Sequence, residues 1–358
     1  MTVAGAMASS EVGFGGAPLV VHDRAARDTC NEYLEAHHGA SAYHAPAWLD
    51  VIHRSFGHDT RYLVAESAGS ICGVLPLVFF KSRVFGHFTV SMPFVNYGGV
   101  LADHADAARA LLARAIEETR KAGGSYLELR HTARLFPELP ARSHKVAMTV
   151  ALEGTPEHQW QRIDRKVRNQ VRKAEKSGLD SEDGGIELLD AFYAVFSQNM
   201  RDLGTPVYGV RFFSEVLSTF PEATRVFIVR HAGRPVAASI VHFRGPTIEV
   251  PWASSIREFN PLCVNVLLYW RMLQFATDRG FRTFDFGRST PNEGTFHFKQ
   301  QWGAQSHELV WEYWMADGKP LPNLSPSNSK FGLAIKVWQH LPLSVATTLG
   351  PVIVRNIP

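Results

Sequence analysis

The chain repeats itself once, and the repeat limits the fold more than any single motif does. Residues Tyr43–Phe79, ending RYLVAESAGSICGVLPLVF, align without gaps on Val207–Phe243, which carry RVFIVRHAGRPVAASIVHF, at an offset of 164 residues. Phe56, Thr60, Arg61, Ala68, Gly69 and Phe79 meet Phe220, Thr224, Arg225, Ala232, Gly233 and Phe243. A long helical run, a glycine and a short acidic strand then recur, as RKAGGSYLELR around Gly123 and TDRGFRTFDFGR around Gly280. Two long units are too few for a solenoid. They predict two similar α/β domains facing each other across a cleft.

A chain of 358 residues has room for two domains, each burying its own core. Hydrophobic residues at 45% and charged residues at 20% exclude a disordered protein, and a net charge of +3 does not by itself call for a nucleic-acid partner. Cys30, Cys72 and Cys263 are scattered, without the spacing of bridges or zinc ligands, and read as buried thiols of a reducing compartment. No run reaches the ~18 apolar residues of a membrane span. The N-terminal stretch lacks a basic leader, so a cytoplasmic protein is expected, with 1–17 as a flexible tail.

Helices are predicted at Arg24–His37, Pro46–Phe56 and Asp106–Lys121, and strands at Arg61–Glu66, Ile71–Phe80 and Tyr126–Arg130. SMPFVNYGGVL reads as a further strand ending in a Tyr97-Gly98-Gly99 loop, which is either a backbone approach to a ligand or a tight turn. In the second unit, a helix or helix pair starting at Thr155-Pro156 ends at Gly178. The hairpin Arg225–Phe243, strand Thr247–Ala253, a helix from Asn260 to Arg279 and strand Thr283–Phe286 follow, and after His297 the aromatic stretch to Trp314 reads as the last strands. Gly318–Asn328 is linker. Phe331–His340 is a short helix whose Leu333, Ile335, Val337 and Trp338 would dock on the body.

Three constellations could carry chemistry. In RIDRKVRNQVRKAEKSG, Ile163, Val167, Val171 and Ala174 form the buried stripe, and Arg165, Asn169, Arg172 and Lys176, widened by Arg162, Lys166, Arg168 and Lys173, form a basic face. That face is either simply solvated or a docking surface for a polyanion. In FDFGRSTPNEGTFHFKQQWGA, Asp285 lies in a short strand between aromatics. Phe296, Phe298 and Lys299 read as strand alternation, with Lys299 opposite the two rings. The lysine is then an exposed strand residue or an ammonium aimed at an oxyanion, and Asp285 a base, a turn cap or the ion-pair partner of Arg288. Third, Met200–Phe213, containing Tyr208, is a Gly/Pro-punctuated loop feeding a helix. Serine-hydrolase elbows, Walker loops, dinucleotide-binding glycines, HExxH and a clean acetyl-CoA pyrophosphate loop are all lacking, and the sixteen histidines show no metal-ligand pairing.

With these residues in view, the chain resembles the FemAB-like aminoacyl- and acyltransferases, and most nearly their exosortase (PEP-CTERM) and exopolysaccharide-associated branch. The likeness runs from APAWLDVI through FVNYGG, VRNQVRKAEKSGL, MRDLGTPVYGVRFF, FDFGRS and FHFKQQWGA to KFGLAIKVWQHLP. It implies an α/β fold of two tandem GNAT-like domains with mixed sheets flanked by helices, at 18–150 and 151–318, the second catalytic, and a C-terminal docking tail at 319–358. It implies transfer of an aminoacyl or acyl group to an amine of a peptidoglycan or exopolysaccharide precursor. Phe298-Lys299 match the family's Phe-Lys pair, whose lysine stabilises developing negative charge, and Asp285 matches an acidic position in the preceding strand. Arg288, Tyr208, Phe298, Arg165, Arg172 and Lys173 would contact substrates. No cofactor or metal is implied, the donor being aminoacyl-tRNA or acyl-CoA as co-substrate. Segment 162–176 is the expected tRNA contact. DNA is not expected as a partner, and peripheral contact with the inner membrane is compatible with the reading. The lysine after the N-terminal Trp and the arginine of the second-domain loop in the family's nucleotide-precursor enzymes have no equivalents at Trp48-Leu49-Asp50 and Val207-Tyr208-Gly209, which speaks against a nucleotide-linked acceptor. The rival readings are an acyl-CoA-dependent N-acetyltransferase on the same fold and a non-catalytic envelope-assembly binding protein.

Overall fold

The computed structural model of the protein describes residues 18–23, 26–83, 85–316, 320–321 and 329–357. The expected tail at 1–17, most of the Gly318–Asn328 linker and the side chains of Phe331 and Leu333 lie outside the described residues. In chain order the first elements are β1 (Leu19–Asp23), α1 (Arg27–Ala36), α2 (Ala47–Phe56), β2 (Asp59–Ser67), β3 (Ser70–Ser82), β4 (Gly86–Val90), β5 (Leu101–Ala102), α3 (Ala105–Lys121) and β6 (Tyr126–His131). Next come β7 (Ala141–Ala151), α4 (Pro156–Arg162), α5 (Arg165–Glu175), β8 (Leu179–Gly184), α6 (Leu189–Leu203), α7 (Val210–Thr219), β9 (Thr224–His231), β10 (Arg234–Arg244) and β11 (Thr247–Ser255). The chain closes with α8 (Val264–Asp278), β12 (Thr283–Ser289), α9 (Gly294–Gln300), β13 (Gln305–Met315), α10 (Ser329–Gln339) and α11 (Leu343–Val354).

Two compact units form. One gathers Met1–His53, Gly57–Arg142 and Val310–Leu321, the other Arg54–Phe56, Ser143–Leu309 and Pro322–Pro358. This division differs from the boundary read at 150 and the domain end read at 318. Most of β7 joins the second unit, where it pairs antiparallel with β12, and the end of β13 joins the first, where it pairs antiparallel with β6. Strand pairing is non-local, so chain order does not disclose such an exchange.

Strands of the first unit run β1-β2-β3-β4-β6-β13, with β5 on β3, and those of the second β7-β12-β11-β10-β9-β8. β4/β6 and β11/β12 pair in parallel. The duplication extends to backbone dihedrals. Ala68-Gly69 turn β2 into β3 at φ 50° and 76°, and Ala232-Gly233 turn β9 into β10 at φ 49° and 79°. Positive φ at both central residues is the type I′ hairpin, whose twist suits paired strands. Gly123 and Gly280, both left-handed, follow α3 and α8 as helix stops. Each unit has its own apolar core. Leu63, Leu75, Leu111, Ala115 and Leu127 pack together in the first, and Val171, Val236, Ile248, Leu267 and Phe284 in the second. Each large side chain so buried contributes about 1.5–3 kcal/mol.

The segment read as strand SMPFVNYGGVL is not one. β4 stops at Val90, and residues 91–100 are irregular but wholly buried. Pro93 has no N–H for a ladder, and Phe94 (φ 68°) and Gly98 (φ 134°) turn the chain. Arg130, 1% exposed, donates through Nη1 to Met92 O and Val95 O and through Nε to Glu128 Oε1, while its guanidinium lies 4.4 Å from the Trp311 ring centre. Val100 N donates to His131 Nε2, which leaves Nδ1 to donate to Glu312 Oε2 at 2.7 Å. Side chains of β6 thus satisfy two of the loop's carbonyls and the Val100 N–H, and the loop fills the place beside β6.

The C-terminal tail docks within the second unit, as expected, but as two helices. Arg201 Nη1 donates to Leu341 O at 3.0 Å, and α11 lays Gly350 so close to Val207 that a Cβ would meet its backbone at 2.8 Å. Trp338 is buried, whereas Val337, expected to dock, faces outward. Cys30 and Cys72 are buried thiols, but Cys263 is only half-buried. Among the described residues no helix is long and apolar enough to cross a membrane, and no His/Cys/Asp/Glu group is placed to hold a metal ion.

Candidate active site

The site is built where β11 and β12 cease to pair. These parallel strands share only Thr247↔Thr283, Ile248↔Phe284 and Glu249↔Asp285. β11 then continues against β10 and β12 against β7, without a ladder between them. A bulge in β12 accompanies the change. Phe286 and Gly287 together oppose Met148, Gly287 takes φ 72°, and its N–H donates to Asp285 Oδ1 at 2.7 Å. The extra residue bends the strand and releases carbonyls from the regular ladder.

Lys299 takes those carbonyls. Residues Gly294–Gln300 form helix α9, not the strand that the Phe296/Phe298 alternation suggested. Helical spacing of three puts Phe296 and Lys299 on the buried side, so Lys299 is 6% exposed instead of facing solvent. Its Nζ donates to Gly287 O at 3.1 Å and Arg288 O at 2.9 Å. An ammonium has three donors, so one remains for a reacting group. Burial lowers the Lys299 pKa to about 8. The Asp285 and Glu249 carboxylates oppose that shift, and the Arg288 cation adds to it. The amine therefore stays mainly charged at neutral pH.

Asp285 and Glu249 are register partners, each 4% exposed. Glu249 escaped the sequence reading. Its signal was an acid flanked by Ile248 and Val250 in an otherwise apolar strand. His242 pairs opposite Glu249 on β10, and burial drops its pKa to about 4, which keeps the ring neutral. Lys145 on β7 was also missed. Its half-buried Nζ lies 2.5 Å from Thr290 Oγ1, and burial, reinforced by the Arg288 cation, pulls its pKa below the usual lysine range. Arg288 itself is exposed. Lys145, Arg288 and Lys299 thus gather positive charge around the end of β12.

Phe298 is half-exposed, edge-on to Tyr269, which stacks on Phe286 at 5.5 Å. With Arg162, Lys166 and His297 it lines an open depression of about 720 Å³, which joins the start of the basic segment to α9. In α5 the buried stripe is the one read from sequence, and Arg165, Arg172 and Lys173 are exposed. The acids of the segment are engaged: Asp164 caps Lys166 N at 2.7 Å, and Glu175 pairs with Arg271. Arg172 stands over the Trp160 ring at 5.5 Å. Tyr208 belongs to a different group. Its ring packs with Phe196, Phe212 and Phe213, and its carbonyl accepts from Tyr193 Oη.

Residues 161–300 match the profile of the acetyltransferase (GNAT) domain family. The second unit carries a GNAT acyltransferase domain. All the site residues anticipated from sequence fall inside this GNAT match. The fold resembles that in a crystal structure of FemX (TM-score 0.63, 13% identity, 83% of this chain and 97% of that one). It also resembles a tandem GNAT protein from the clavulanic acid biosynthesis pathway (0.52, 13%, 85% and 100%). A third likeness is to the C-terminal domain of a putative lysylphosphatidylglycerol synthetase from Agrobacterium fabrum (0.54, 10%, 80% and 90%). At these identities the likeness is one of fold, here two GNAT-like domains in tandem. No curated protein matches the sequence. The first GNAT-like unit repeats the strand order, with segment 91–100 in the place beside β6.

Proposed function

We propose that the second domain is the catalytic one and transfers an aminoacyl group to an amine of a cell-envelope precursor, of the peptidoglycan or exopolysaccharide class, in the cytoplasm. The observation that carries this reading is the buried Lys299 ammonium, seated on the carbonyls of a strand bulge beside the Glu249/Asp285 pair, inside a GNAT domain. The acceptor amine, protonated in water, first gives its proton to Asp285 or Glu249. The free amine attacks the donor carbonyl, and the remaining Lys299 N–H meets the oxygen as it becomes negative. One such donor supplies roughly 3 kcal/mol. Collapse forms the amide and expels the donor's leaving group, which takes up the second proton of the nitrogen, while the first passes from the carboxylate to solvent. The donor is the only co-substrate required.

The unpaired cations of α5 favour a polyanionic donor, an aminoacyl-tRNA, over acyl-CoA. Lys145 and Arg288 would meet phosphate or carboxylate on either substrate. The likeness to the exosortase-associated branch favours exopolysaccharide as the polymer served. Mass spectrometry of peptidoglycan and exopolysaccharide from a deletion strain tests the proposal. We expect loss of one aminoacyl or acyl substituent, restored by the intact gene and not by a Lys299→Ala copy. Unaltered polymers would leave the non-catalytic binding role as the better account.

A further inference from the structure

Helix α11, LSVATTLGPVIV, contains no charged residue. A helix this apolar is normally enclosed, and α11, whose polar side chains are Ser344, Thr347 and Thr348, is not. Its inner side, Ala346, Gly350 and Val354, is buried, and Gly350 and Pro351 rest on Val207 and Gly209. Its outer side shows Val345 (37% exposed), Leu349 (47%), Val352 (63%) and Ile353 (40%). These recur at spacings of four, three and one, a single stripe along the helix. Val210, beside the Gly209–Pro351 contact, and Leu203, at the end of α6, are exposed as well. An exposed apolar stripe of this kind marks a surface that meets something other than water.

The charge around it names the partner. No Asp or Glu follows Asp317 in the sequence, whereas Lys319, Lys330, Lys336 and Arg355 do. Lys336 and Arg355 are exposed on either side of α11 in the chain. An apolar stripe on a segment whose described charged side chains, Lys336 and Arg355, are both cationic suits a bilayer whose headgroups are anionic, because the apolar side chains enter the acyl boundary as cations meet phosphate. A second copy of this chain would set cations against cations across the same face. We infer that the outer face of α11 is a docking surface for an anionic lipid bilayer, lying on it without spanning it. The inference concerns this face alone and stands apart from the transfer chemistry.

The full chain, centrifuged with vesicles of equal parts phosphatidylglycerol and phosphatidylcholine, tests it. We expect co-sedimentation that weakens at least tenfold in the Leu349→Asp/Val352→Asp variant. Both positions are exposed, so the thermal melt should be unchanged, and Ser344→Asp/Thr348→Asp at the polar edge should weaken binding less. The Arg165→Gln/Arg172→Gln/Lys173→Gln variant should bind vesicles as the parent does. Three results would overturn the assignment: no binding by the parent chain, undiminished binding by the double aspartate variant, or a dimer that the double aspartate substitution dissolves.

Discussion

Lys299 works against its own burial. Taking an ammonium out of water costs free energy, and the two bulge carbonyls together with the Asp285 and Glu249 carboxylates offset part of that cost. Lys299→Ala is expected to lower turnover by ~10²–10³ while the circular dichroism spectrum stays that of the parent. A folded variant with unchanged turnover would remove the residue from the mechanism. Activity that needs the charged form should fall as pH rises through about 8. Asp285 is the larger of the two groups holding that value up, so Asp285→Asn should move the alkaline limb of the kcat/KM profile to lower pH. A limb that stays in place would show that the titrating group is another one. Stability runs the opposite way. The folded pKa lies below the ordinary value of 10.5, so the unfolded chain binds more protons between about pH 8 and 10.5. This residue's contribution to stability therefore rises with pH across that window.

At the scale of elements, the bulge in β12 joins fold to chemistry. Gly287 takes a φ of 72° that costs a side-chain-bearing residue about 1–2 kcal/mol, and its carbonyl is one of the two that seat Lys299. Gly287→Ala should therefore lower unfolding free energy by about that amount in urea titration and reduce turnover with it. Full turnover in the alanine variant would separate the bulge from catalysis. The hairpin turns, the stripe of α5 and the glycine stops of α3 and α8 were legible in the sequence, because each depends on residues within a few positions. Helix α9 was not. Seven residues with Phe at alternate positions satisfy both periods, and contact of Lys299 with β12 decides between them. Segment 91–100 misled for a related reason: its apolar character reflects burial around Arg130, not membership of a ladder.

For the whole molecule, the basic face of α5 and the cations at the end of β12 belong to the same unit, and α4–α5 shares a depression with Phe298. If that face receives a tRNA, RNA affinity should fall with salt. Replacing Arg165, Arg172 and Lys173 with Gln should then flatten the slope of log K against log[salt] by roughly 2 to 3. Equal slopes in a filter-binding titration would leave acyl-CoA as the better donor.

The amino-acid sequence alone determined the duplication, the α/β character and the positions of Asp285, Arg288 and Lys299 within a distinctive run, since these follow from local periodicity, turn chemistry and residue type. Tertiary structure alone decided that most of β7 and the end of β13 leave the unit expected from chain order, that Lys299 is buried, that Glu249 stands beside Asp285, and that Tyr208 belongs to an aromatic cluster. Each of these depends on strands and helices far apart in the chain meeting in space, and no local pattern encodes which partner an edge or a buried charge will find.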